Sequence, residues 1–152
     1  MIEYGTSKRM PAPDDPQTSI LVLVTNQFQC ERLIRTGRKI ANLTGTPVYV
    51  INVQHRGDKY EANPEALQHL FDVSKHNDAE MKVYFAADPF EQICEIIETY
   101  KARHVITGIP VGEDSLVHKL WRAYPDINFY TVTTEGEEIQ VDTTSQGLPL
   151  PR

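Results

Sequence analysis

The sequence predicts an α/β fold, a parallel sheet with helices on both faces. Short β-branched runs alternate with amphipathic helical runs from Ser19 to Val132. Helix-start signals punctuate that alternation, and the 40% hydrophobic, 24% charged composition suits one globular domain. Sheets of this kind take ligands at the carboxyl ends of their strands.

The elements follow in order. Ile20-Leu21-Val22-Leu23-Val24 reads as the first strand, near 19–24. A helix near 30–43 turns Leu33, Ile34, Ile40 and Ala41 inward, with Gly37 allowing close approach to the sheet. Arg32, Arg35, Arg38 and Lys39 give that helix a basic outer face, expected to be solvated. The second strand lies near 48–53, and the second helix, near 63–76, stacks Ala66, Leu67, Leu70 and Phe71. After a third strand near 80–86, Asp88-Pro89-Phe90-Glu91 starts a helix near 89–100. It offers an N-cap Asp, Pro at the first helical position, and Glu three residues after the cap. Phe90, Ile93, Cys94 and Ile97 form its apolar stripe. A fourth strand near 104–108, a helix near 115–123 and a fifth strand near 128–132 complete the five-stranded sheet.

The fifth run interleaves Asn128, Tyr130 and Thr131 with Phe129 and Val132, the pattern of an edge strand. Exposed edges demand a cover, so the expectation is a homodimer through this last strand, with Trp121, Tyr124, Phe129 and Tyr130 as packing or interface aromatics. Residues 1–18, with Pro11, Pro13 and Pro16, read as a flexible leader; 19–132 form the domain; the acidic tail 133–152 is disordered or adds an edge strand at 138–142.

Composition narrows the function classes. A net charge of −6 argues against nucleic acid as the main partner. No stretch approaches a membrane span or a signal-peptide core, so a cytoplasmic protein is expected. Cys30 and Cys94 fit a reduced compartment. Cys94 reads as inert core; Cys30, near a helix start, reads as structural but better placed to react. The histidines at 55, 69, 76, 104 and 118 have no metal-site spacing.

Four segments resemble the universal stress protein family, in particular the stress-protein-like domain of KdpD-type potassium sensor kinases. Residues 20–24 look like the family's first strand. Glu31-Arg32-Leu33-Ile34-Arg35-Thr36-Gly37-Arg38 resembles the KdpD-type E-R-L-I-R-T-A-R helix. Asp88-Pro89-Phe90-Glu91-Gln92-Ile93 is similar to a D-P-x-x-x-I start. Residues 116–132, with Leu120, Arg122, Pro125 and Asp126, look like the last helix-turn-strand. The resemblance implies the adenine-nucleotide α-hydrolase-like sandwich with strand order 3-2-1-4-5.

The resemblance also implies a nucleotide site of ATP type, with G-x2-G-x9-G-(S/T) after the fourth strand, or one for cyclic di-AMP. Glycines let backbone approach phosphate, and helix N–H groups hold its charge. Here the loop reads Gly108-Ile109-Pro110-Val111-Gly112-Glu113-Asp114-Ser115. Its second glycine is one residue late, its long spacer is absent, and Glu113 and Asp114 stand where phosphates would sit. Thr25-Asn26 replaces the acidic residue that holds adenosine, and the cyclic di-AMP serines are also absent. Ligand contacts are therefore expected from Thr25, Asn26, Gln27, Val53 (by backbone), Gly108, Gly112 and Ser115, in a degenerate site. The expected role is a non-catalytic sensing or regulatory module with a signalling partner. A ligand-free interaction domain and a nucleotide hydrolase are the alternatives. Ser115 and His118 share a helix face, but no G-x-S-x-G elbow precedes them.

Overall fold

The computed structural model describes residues 18–55, 63–110 and 115–141. In chain order these form β1 (Ser19–Leu23), a 3-10 turn (Phe28–Cys30), α1 (Glu31–Thr44), β2 (Val48–His55), α2 (Pro64–His76) and β3 (Glu80–Ala86). Then come α3 (Pro89–Thr99), β4 (Ala102–Gly108), α4 (Leu116–Ala123), β5 (Asn128–Val132) and β6 (Glu138–Gln140). The strands make one sheet of order β3-β2-β1-β4-β5-β6. The first five run parallel and β6 pairs antiparallel with β5. The expected 3-2-1-4-5 order is therefore present, extended by one strand.

Alternation along the strands divides the core into two layers. Ile20, Val22, Val48, Val50 and Ile106 meet Leu33, Ile34, Ile40 and Leu70 on the α1/α2 side. Leu21, Ile51, Val105 and Phe129 meet Ile93, Ile97, Leu120 and Trp121 on the α3/α4 side. Central strands buried on both faces need apolar residues at successive positions, which is why Ile20, Leu21 and Val22 are all fully buried. Gly37 lets α1 sit close: a Cβ there would lie 2.7 Å from Val22 Cγ2. Gly45 ends α1 in the left-handed region at φ 76°, its N–H donating to Ala41 O at 2.7 Å. Asn63, Asp88 and Ser115 cap α2, α3 and α4, each side chain accepting a backbone N–H from the first turn.

Several expectations change. β5 is not an edge strand: Tyr130, Thr131 and Val132 pair with Gln140, Ile139 and Glu138, and Val141 N donates to Phe129 O at 2.8 Å. The open edge from which a homodimer was expected is covered by the chain's own tail. The tail closes on β5 because Val141 has a buried place in the α3/α4 core, beside Phe129 and Trp121. Trp121 and Phe129 are themselves buried inside the chain, so they offer no interface surface. In α2 the inward face is Ala66, Leu70, Val73 and Ser74, while Phe71 is exposed. In α3, Ile96 joins Ile93 and Ile97, and Cys94 is only half-buried at the margin of the stripe. The face of α1 expected to be solvated turns two of its four cations inward: Arg32 and Arg38 are half-buried.

Candidate functional site

A cavity of about 720 Å³ opens at the carboxyl ends of β1, β2 and β4. It lies where the chain, having added β2 and β3 on one side of β1, restarts on the other side with β4. That change of direction parts the connecting loops and leaves a crevice between them. The volume falls in the range of small-molecule sites, about 300–1,000 Å³. The walls are mainly aliphatic, with Leu23, Ile51 and Val53 from the sheet, Ile93 from α3, and Leu116 and Val117 from α4. Polar residues also line it: Thr25, Gln27, Gln29, Thr107, Ser115 and Thr134.

The expected ligand residues divide. Thr25, Gln27, Val53, Gly108 and Ser115 all line the cavity. Asn26 turns aside: its Oδ1 accepts from Asn52 Nδ2 at 3.1 Å and from Gln54 Nε2 at 3.4 Å, while Asn52 Nδ2 also donates to Val24 O at 3.1 Å. The buried Asn52 amide needs partners, and Asn26 supplies one. Gly112, Glu113 and Asp114 lie outside the described residues.

Three helices begin at the cavity: α1, α4 and, through Pro89, α3. The β1–α1 connection passes through the 3-10 turn, and Cys30 takes the N-cap position of α1 without a side-chain capping bond. Cys30 is buried, and Thr25 N donates to its Sγ at 3.4 Å. Across the cavity, Ser115 Oγ accepts His118 N–H at 3.3 Å and lies 2.8 Å from His118 Nδ1. His118 in turn packs edge-on against Trp121, the ring centroids 4.8 Å apart. Helix starts carry partial positive charge and favour anions.

Arg32, expected on a solvated face, lines the cavity instead. Its Nε donates to Thr133 O at 2.7 Å, Nη1 to Gln29 O at 2.7 Å and Nη2 to Val132 O at 3.3 Å. The side chain thereby ties the first turn of α1 to the end of β5. Its signal in the sequence was slight: Arg32 stands four residues before Thr36, which is buried, on the margin of the apolar face. Among the described residues, no group of three His, Cys, Asp or Glu side chains gathers to hold a metal.

No family model and no curated protein matches the chain. Solved structures do. A protein from the universal stress protein family of Burkholderia pseudomallei aligns with a TM-score of 0.50 at 14% identity, over 76% of this chain and 96% of that one. The fold is that of the universal stress proteins. A universal stress protein from Archaeoglobus fulgidus aligns at a TM-score of 0.47 and 22% identity, over 61% of this chain and 76% of that one. The universal stress protein from Archaeoglobus fulgidus in complex with dAMP aligns at 0.44 and 21%, over 60% and 81%. Within this universal-stress-protein fold, the sixth strand and the Arg32 tie bring the β5–β6 turn, through Thr134, to the cavity.

Proposed function

We propose that this chain is a non-catalytic, universal-stress-protein-like regulatory module that binds a nucleotide in the cavity between β1 and β4. The observation that carries the proposal is the cavity itself. It is of ligand size, sits at the topological switch point, is apolar within, and is bordered by three helix starts and an arginine. Aliphatic walls suit a base and sugar, and the positive rim suits phosphate.

The capping geometry supports a binding rather than a hydrolytic role. Ser115 Oγ is occupied by the backbone and imidazole of His118, and among the described residues no carboxylate bonds to that ring. Nucleotides of ATP type and cyclic di-AMP are the ligands that the family resemblance offers. The KdpD-type likeness over residues 31–38 extends the proposal to a cytoplasmic sensor that reports to a signalling partner. A homodimer through the last strand is part of it, with Glu138–Gln140 now the strand whose outer edge would pair.

A thermal-shift panel of ATP, ADP, AMP, cyclic AMP and cyclic di-AMP, with and without magnesium, tests the reading. Binding to the native state alone raises the melting temperature, so one nucleotide should raise it by several degrees. A flat response from a cooperatively melting protein would leave a ligand-free interaction domain as the better account.

A further inference from the structure

Helix α1 carries four cations, and their partners differ in kind. Arg35 pairs with Glu31, Arg38 with Asp78 at 3.8 Å, and Lys39 with Glu138 at 2.8 Å. Arg32 alone among them has no carboxylate partner among the described residues; its three bonds all go to backbone carbonyls. Carbonyls orient a guanidinium without neutralising it. Among the described residues the charge is therefore uncompensated, beside an apolar cavity where water screens it less than at an open surface.

The three bonds leave two N–H groups of the guanidinium unused. A guanidinium has five N–H groups. Nε gives its only one to Thr133 O, and Nη1 and Nη2 each give one of their two. One N–H remains on each terminal nitrogen, and arginine can grip an anion's oxygens through two such groups. Nη2 also faces Gly108 on the cavity wall, 3.5 Å from where a Cβ on that glycine would stand. No other Lys, Arg or His, and no Asp or Glu, stands among the described residues lining the cavity.

We infer that Arg32 is the anion-binding residue of this cavity, and that its ligand presents a single phosphate rather than a polyphosphate chain. The inference rests on the nucleotide-binding reading above and narrows it. Among the described residues, one full charge plus about half a charge at each of three helix starts comes to about +2.5, near the −1.5 to −2 of a phosphate monoester. It falls well short of a triphosphate. The competing account makes Arg32 a strap for the β5–β6 hairpin; that account explains the three carbonyl bonds but not the unneutralised charge turned to the cavity.

Titrating the full chain with adenosine, AMP and magnesium-free ATP, read by calorimetry, separates these accounts. The wild type should bind AMP about tenfold or more tightly than adenosine, the order expected of a charge-assisted hydrogen-bonded contact. ATP should bind no better than AMP. Arg32→Gln should abolish the preference for AMP while leaving adenosine affinity unchanged. Arg35→Gln, on the same helix, should change neither. Equal binding of adenosine and AMP, tighter binding of ATP, or an AMP preference that survives in Arg32→Gln overturns the inference and leaves the cavity reading standing. No binding of any of the three overturns the inference, and together with a flat response to the whole thermal-shift panel it overturns the nucleotide reading as well. Where Arg32→Gln fails to melt cooperatively, Arg32→Lys takes its place: it should keep a weakened AMP preference, and an undiminished one overturns the inference.

Discussion

At the scale of single residues, the cations of α1 show how neighbours assign roles to similar side chains. Arg35 lies one turn after Glu31, and that carboxylate also accepts from or pairs with His69 Nε2 at 2.7 Å. The Arg35 hydrogen bond, and after it the His69 one, holds the Glu31 carboxyl below its ordinary value of 4.5. A depressed folded value means that the stabilisation is present above the ordinary carboxylate range and is lost as pH falls through the folded one. The pair is partly exposed, so the effect is small. Glu31→Gln should lower stability by less than about 1 kcal/mol at pH 7. Its urea midpoint should converge on the wild type's below about pH 4. A gap that persists undiminished at pH 3 would assign the loss to packing instead.

At the scale of elements, the caps decide where helices start. Asp88 Oδ1 accepts Glu91 N–H at 3.2 Å, and Pro89, with no N–H to satisfy, occupies the first position. That start aims the first turn of α3, with Pro89 and Ile93, at the cavity. Asp88→Ala should cost about 1 kcal/mol in denaturant unfolding, and Asp88→Asn much less, because asparagine caps nearly as well. Equal losses in the two variants would show that the carboxylate's charge, rather than its hydrogen bond, sets the helix start. The same logic made α3 readable in the sequence down to its cap. Phe71 was misplaced because it follows Leu67 by four residues and so widens the apolar stripe of Ala66 and Leu70, and only the position of the sheet sets where the stripe ends.

At the scale of the molecule, the sheet ends in two different ways. The β3 edge carries Glu80 and Lys82, paired at 3.1 Å, charges that discourage further strand addition. The other side is finished by β6, whose hairpin also supplies the Arg32 anchors and places Thr134 at the cavity. Removing residues 136–152 should lower the melting temperature and expose the β5 backbone. Sedimentation velocity should then show the shortened chain self-associating beyond whatever the full chain does. A shortened chain equally stable and no more associated would mean that β6 contributes little to the fold. The sedimentation of the full chain measures the proposed dimer directly.

The sequence by itself determined the parallel α/β class, the order of elements and most of the core, because burial on both sheet faces and helix capping are written in local residue patterns. Together with the family resemblance it also pointed to Thr25, Gln27, Val53, Gly108 and Ser115, which the structure brings together along the cavity lining. The tertiary structure alone decided that Asn26 serves Asn52, that β6 covers β5, and that Arg32 faces the cavity. Each of these rests on a contact between segments far apart in the chain, such as Arg32 with Thr133, and no local periodicity records which distant carbonyl a side chain will reach.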